Sequence, residues 1–479
     1  MKSQSRRRVL PVAARHLAIL AALTLIGAGP VAVSTRAQTA RPNVLFIAAD
    51  DLNHWVGHLG RNKQVRTPHI DRLAARGVTF TRAYTAAPIC NPSRAALMSG
   101  LRPSTTGVYA NTTDWRPLIS REKTLISHFR ANGYRTLGAG KIYHASLDRQ
   151  AEWDEYGTDA RSPCKLLNPT DGVGAIKFSP VECGDEAISD YSIADYGIAQ
   201  LQRRHDRPFL LTIGFRKPHM PWNVPKKYFD MYPLDTIELP PYQEADLGDI
   251  PASGVKMARL PGAPSPDVPS DHELILKSGR WKEAVQAYLA TITYVDGQIG
   301  RVLDALDRSA YRDNTIVVFF GDHGWSLGEK HHWRKFALWE EPTRAPLIWV
   351  APGVTKPGTA SNRTVDFMSI YPTLSEVCGL PIPSHVEGAS IRKLLANPRA
   401  EWDRPAVTTH GYKNHAARSE AWRYIRYENG EDELYDETKD PYEWTNLAKD
   451  TKYDKVKAEL AAFFPKLNTR RPADSVAVK

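Results

Sequence analysis

Acidic residues are missing from the first forty positions of this 479-residue chain, which carry six basic ones: Lys2, Arg6, Arg7, Arg8, Arg15 and Arg36. Setting those six aside leaves a formal +4 of the chain's +10, so charge gives no reason to invoke nucleic acid. Beyond that segment no stretch is apolar enough to span a bilayer, which argues against a stable membrane span. Cysteine is scarce, at four residues, and no internal repeat is evident. What remains is ordinary globular composition, 42% hydrophobic and 24% charged, long enough for a large core and more than one domain.

The first forty residues read as an export signal. Lys2 and Arg6 to Arg8 form a positive region, 17–29 a short apolar core, and Ala37 and Ala40 suit cleavage. A membrane anchor is the alternative reading. Ser5-Arg6-Arg7-Arg8-Val9-Leu10 also has twin-arginine character, so the export route stays open. The expected location is periplasmic or secreted, where disulfides persist. Cys164 and Cys183, close together in an irregular polar region, are the expected pair. Cys378 sits in an apolar helical pattern and reads as core, which leaves Cys90 without a partner.

Past position 40 the chain alternates short apolar runs with helical patterns, which predicts an α/β fold with a large, mostly parallel sheet. Strands are expected at 43–49, 79–84, 134–139, 208–215, 315–320 and 345–350, with helices at 124–132, 186–204, 281–306 and 369–379. The stretch 232–270 is proline-rich and aperiodic, and reads as a long surface excursion. From about 402 the pattern changes to short strands at 406–410, 416–420, 422–428 and 433–436, followed by a helix near 453–467. The expected organisation is a signal at 1–40, a catalytic domain at 41–400 and a C-terminal antiparallel subdomain at 401–479.

Polar clusters follow the strands. Asp50-Asp51 ends the first, Lys141 and His144 follow the third, His219 the fourth, and Asp322-His323 the fifth. Adjacent carboxylates at the end of a buried strand are costly unless they hold a cation, and open α/β sheets bind ligands at that edge. Hard oxygens favour Ca²⁺ or Mg²⁺, although a His ligand leaves that choice open. Arg94, Lys141 and Lys335 supply fixed positive charge suited to an anion's oxygens.

The stretch Cys90-Asn91-Pro92-Ser93-Arg94 reads as a helix start, with Pro92 in the first turn and Gly100 at the far end. An isolated Cys there is equally a buried structural thiol. Its spacing, however, resembles the Cys-x-Pro-Ser-Arg signature of type I sulfatases. Further resemblance runs through 43–51, 90–109, 140–144, 217–221, 322–335 and Glu433-Leu434-Tyr435-Asp436, covering nearly the whole chain after position 40, and is strongest to the iduronate-2-sulfatase branch.

That resemblance implies an alkaline-phosphatase-like sulfatase fold. It implies that Cys90 is converted to formylglycine by a formylglycine-generating or sulfatase-maturing enzyme. One Ca²⁺ would be held by Asp50, Asp51, Asp322, His323 and the modified Cys90; His323, where many sulfatases have Asn, matches the iduronate branch. Arg94 and His144 would hold the hydrated aldehyde, Lys141 and Lys335 would bind sulfate, and His219 would protonate the leaving oxygen. The substrate would be a sulfated saccharide, a uronic acid 2-O-sulfate or a related polysaccharide unit. From local chemistry, Lys217, Lys226, Lys227 and Arg334 are candidates for a sugar carboxylate, and Trp222 and Trp325 for a sugar ring.

Three rivals stand beside this reading. One is a phosphate or phosphonate monoester hydrolase of the same superfamily; a two-zinc phosphohydrolase would use Ser or Thr where Cys90 stands. The second is a non-catalytic binder of sulfated glycans, which should have lost part of the constellation. The third is a structural or transport protein of the cell envelope, which would not need it.

Overall fold

Every residue of β1 (Asn43–Asp50) is buried. Successive strand side chains point to opposite faces, so Leu45, Ile47 and Ala49 enter one core while Val44, Phe46 and Ala48 enter another. A strand covered on both sides needs a continuous apolar run, as this one has. The structure is a computed structural model that describes residue 1 and residues 41–470, except 145–146, 169, 262–264 and 266. The export signal read at 1–40 lies outside the described residues, Met1 aside.

Around β1 stand β2 (Val78–Tyr84), β3 (Arg135–Gly140), β4 (Glu155–Gly157), β7 (Phe209–Pro218), β8 (Thr315–Gly321), β11 (Leu347–Val350) and β12 (Thr359–Asp366). Two small hairpins, β5 (Lys165–Leu166) with β6 (Val181–Glu182) and β9 (Ser326–Leu327) with β10 (Trp333–Arg334), lie outside this sheet. The eight strands run in the order β12-β2-β11-β8-β1-β7-β3-β4. All neighbours are parallel except β11, which is antiparallel to both β2 and β8. The sheet is therefore mixed by one strand. Helices Ser189–Gln202 and Trp281–Arg308 cover the first core, and Cys90–Ser99, Leu125–Ala131 and Ile370–Val377 the second.

One strand was not foreseen and one expectation is corrected. The run TASNRTVD of β12 carries no apolar signal, because an edge strand need not be apolar on both faces. The excursion 232–270 contains the helix Ala252–Arg259, which buries only Met257, Ala258 and Gly254. Its apolar stripe is too short to register as a period.

The C-terminal strands form an antiparallel sheet of β13 (Ala406–Thr409), β14 (His415–Arg418), β15 (Trp422–Arg426) and β16 (Asp432–Asp436). Helix Asp454–Ala461 covers one face through Leu460. The other face packs Ala416, Ile425 and Tyr435 on Ala337, Leu338 and Trp339, immediately after Lys335. Arg423, wholly buried, ion-pairs with Glu340, Glu437 and Glu443 at that junction. Among the described residues no helix is long and apolar enough to cross a membrane.

Candidate active site

The parallel strands β1, β3, β7 and β8 end at one edge of the sheet, and their last residues deliver the polar groups. The β1–β7 register slips between Ala49 and Asp50, so Asp50 lies opposite Pro218. Asp51 then takes a left-handed backbone, φ 62°. The turn is held by the Asp51 N–H donating to Asp322 Oδ1 at 3.0 Å and by the Tyr288 hydroxyl donating to the Asp51 carbonyl at 2.8 Å. At the end of β3, Gly140 has φ 77°, and the Lys141 N–H donates to the Gly214 carbonyl at 2.7 Å. A Cβ on Gly214 would lie 2.1 Å from the Lys141 carbonyl oxygen, so glycine is required where these two strands bring Lys141 to the site.

Cys90 is the first residue of a helix buried along its whole length. Its sulfur has Lys335 Nζ at 2.8 Å, His323 Nε2 at 3.3 Å and Asp51 Oδ1 at 3.8 Å. One turn on, Ser93 donates to the Asp322 carbonyl at 2.6 Å. Arg94 donates from Nε to Asp322 Oδ2 at 2.9 Å, from Nη2 to Asp50 Oδ1 at 3.0 Å, and from Nη1 to the carbonyls of Lys141 and Ile142. Lys141 pairs with Asp50, and Lys335 with Asp51 at 2.6 Å.

These charges set the protonation states. Burial and Asp50 push the Cys90 thiol up, but Lys141, Lys335 and His323 outweigh them and hold it well below the usual thiol range. Burial lowers His323, yet Asp322 and Cys90 raise it to about 9. Burial raises Asp50, and Lys141 with Arg94 overcome this and keep it ionised. The centre therefore favours a negatively charged atom at the Cys90 position.

His219 sits at the rim. Its Nδ1 meets the Met220 carbonyl, and its Nε2 is 3.8 Å from Asp51 Oδ2. With Nδ1–H donating to that carbonyl, Nε2 is left facing the site. His219, Lys141, Asp50 and His144 line one cavity of about 510 Å³, within the ~300–1,000 Å³ usual for small-molecule sites.

A cation fits here. Asp50, Cys90, Asp322 and His323 each offer an atom, all within 4.8 Å of one another, and Asp50, Asp51, Cys90 and His219 form an overlapping set. Asp51 Oδ2 is buried and accepts no hydrogen bond from the described residues. The three carboxylates among these groups, beside the two imidazoles and the Cys90 sulfur, supply the oxygen donors that a hard cation takes.

The structure brings together Asp50, Asp51, Cys90, Arg94, Lys141, His219, Asp322, His323 and Lys335, and places His144 on the cavity wall. The tryptophans, Lys226, Lys227 and Arg334 are not brought to the site, and Lys217 reaches the cavity with its ammonium already bound. Trp325 and Trp222 are buried, pack edge-to-face at 5.8 Å and belong to the first core; what Trp325 presents to the site is a ring beneath Lys335 Nζ, 5.5 Å away. Lys217 lines the cavity but is buried and spends its ammonium on the Pro221 and His219 carbonyls; burial lowers it to about 8. Arg334 pairs with Asp271, Lys226 with Asp230 and Lys227 with Asp185. Sequence reasoning passed over Ser93 and Tyr288, which fix Asp322 and Asp51, and Asp190, whose carboxylate accepts the N–H groups of Arg216 and Lys217. Of these only Ser93 carried a signal, its place in the Cys90 motif.

The mixed sheet with this charged cluster at its carboxyl edge has the alkaline-phosphatase-like fold, shared with solved sulfatase and phosphonate monoester hydrolase structures. The chain belongs to the sulfatase family: the family model described as Sulfatase matches residues 42–380, and that of the N-sulphoglucosamine sulphohydrolase C-terminal region matches 328–470. It is similar to a sulfatase of Formosa agariphila, 39% identical over 91% of this chain and 89% of that one. It is also similar to iduronate 2-sulfatase of Mus musculus, 30% identical over 75% and 73%. A solved 2-O GAG sulfatase structure matches with a TM-score of 0.70 and 25% identity over 88% of this chain and 90% of that one.

Proposed function

We propose that this sulfatase removes sulfate from an acidic sulfated sugar, a uronic acid 2-O-sulfate or a related polysaccharide unit, with formylglycine at position 90 and one Ca²⁺. The observation that carries the reading is the surrounding of the Cys90 sulfur by Lys335, His323 and Asp51, beside Asp50 and Lys141, which line the neighbouring cavity. The names of the mouse relative and of the 2-O GAG sulfatase support the substrate class.

Asp50, Asp51, Asp322 and His323 would hold the cation, which when bound polarises a sulfate oxygen and orients the ester. A hydrated aldehyde at position 90 would supply two hydroxyls on one carbon, one for attack at sulfur and one for release of sulfate. Lys141 and Lys335 take the sulfate oxygens and offset the charge that builds on them. Arg94 helps keep Asp50 ionised and holds Asp50 and Asp322 in place. His219 Nε2 gives its proton to the departing sugar oxygen. His144, on the cavity wall with an Nδ1 that has no partner among the described residues, is placed to contact the reacting group.

The same reading makes 1–40 an export signal, 41–400 the catalytic domain and 401–479 a C-terminal subdomain, with the protein periplasmic or secreted and matured by a formylglycine-forming enzyme. The test is a desulfation panel run with elemental analysis. A 2-O-sulfated uronyl disaccharide should be turned over faster than choline sulfate or 4-nitrophenyl sulfate, with one calcium per chain. Preference for a phosphonate monoester, or two zinc ions, would overturn it.

A further inference from the structure

On that reading the groups around Cys90 would take one sulfate, and the cavity that Asp50 and Lys141 border is left to the sugar. Four lysines and arginines among the described residues line that cavity: Lys141, Arg161, Arg216 and Lys217. Lys141 is taken by Asp50, Arg216 by Asp159 at 2.6 Å, and Lys217 by backbone carbonyls. Arg161 is exposed and, among the described residues, meets neither a carboxylate nor a carbonyl.

The backbone that carries Arg161 is nonetheless fixed on both sides. Asp159 is held by Arg216. The Ala160 N–H donates to Ser192 Oγ at 2.9 Å, and that hydroxyl lies 3.1 Å from the Ala160 carbonyl. The Ser162 N–H donates to the Ala187 carbonyl at 2.9 Å, and Cys164 is disulfide-bonded to Cys183. A free guanidinium on a pinned backbone has lost part of its ordering entropy before a ligand arrives. A planar fork of donors matches a carboxylate or sulfate. Beside it, Leu166, Ile188 and Met220 give the cavity an aliphatic wall, and Asn223 and Ser162 give it polar groups. That combination suits a sugar ring with hydroxyls and a second anionic group.

We propose that Arg161 binds the second anionic group of the substrate, the one that is not hydrolysed, and so sets the preference for acidic saccharides. This rests on the sulfated-sugar reading above. The group is a carboxylate of the sulfated sugar or a sulfate of its neighbour; both present oxygens to the same fork.

The test uses the full-length matured enzyme and paired substrates. One pair is a 2-O-sulfated uronyl disaccharide and its carboxyl methyl ester. The other is that disaccharide with and without a sulfate on the adjoining sugar. For the carboxylate arm, wild type should favour the acid over the ester by about ten- to hundredfold in kcat/KM, mostly through KM, and Arg161→Ala should bring that ratio close to one. Arg161→Lys should restore part of it. A ratio that collapses only for the sulfate pair assigns the fork to a neighbouring sulfate. Folding is checked by an unchanged melting temperature. Both ratios surviving in Arg161→Ala would overturn the assignment and leave the sulfated-sugar reading intact. Failure of wild type to hydrolyse any sulfated saccharide would instead overturn that reading.

Discussion

Replacing Cys90 with alanine should abolish turnover, while Cys90→Ser should at best allow a single sulfation event, because one hydroxyl can attack but cannot re-form a carbonyl to expel the product. A burst assay with mass detection of the sulfated serine checks this. Asp50→Asn and Asp322→Asn should each remove most activity, since Asp50 also anchors Arg94 and Lys141 and Asp322 also anchors Arg94. Isothermal titration should show weakened calcium binding in both. For His219, the expected loss in His219→Ala is about 10²–10⁴-fold on a sugar sulfate and much smaller on an aryl sulfate with an acidic leaving group, because a good leaving group needs no proton. Equal losses on both would remove His219 from the acid role. Asp50, Asp322 and His219 were legible in the sequence because each follows an apolar run and strand ends gather at one edge, whereas Cys90 was legible through its motif. Trp325 and Lys217 misled for the converse reason: adjacency to a site residue says nothing about which way a side chain points. Trp325 turns into the core, and Lys217 turns onto its own loop.

At the scale of elements, the site depends on how closely strands approach. Gly214→Ala should push the Lys141 backbone away from β7, costing about 1–3 kcal/mol of stability and lowering kcat together with the melting temperature. A variant of normal stability and full activity would show that Lys141 tolerates the displacement. The long helix Trp281–Arg308 contributes Asp296, whose carboxylate accepts the N–H groups of His69 and Ile70 at 3.2 and 2.8 Å. Burial pushes this carboxyl up to about 7 from an ordinary 3.8. The folded state thus holds its proton more tightly than the unfolded chain. Its contribution to stability is full below about 4, declines as pH rises towards 7 and is flat above. Asp296→Asn should remove that slope from a plot of denaturation midpoint against pH between those limits. Strands and helices this apolar were readable from periodicity. The edge strand β12 and the helix Ala252–Arg259 were not, because one lacks a buried second face and the other is too short to show a period.

Over the whole molecule, the C-terminal sheet acts as a brace for the segment that presents Lys335. Ala337, Leu338 and Trp339 pack on it, and Arg423 ties Glu340 to Glu437 and Glu443 in a buried network. Arg423→Met should cost about 3–5 kcal/mol by leaving those carboxylates uncompensated, and should lower kcat by letting Lys335 shift. Thermal unfolding with steady-state kinetics checks both; loss of stability with unchanged kcat would confine the network to folding. The antiparallel character of this sheet was visible in its short, closely spaced strands, but its coupling to Lys335 was not, since it joins residues some eighty to a hundred positions apart. The central claim is the chemistry at position 90, and it is tested most directly by mass spectrometry of the peptide containing that residue, taken from protein of known specific activity. The account predicts an aldehyde mass whose fraction tracks activity across preparations. Fully active protein that carries only the unmodified thiol would contradict it.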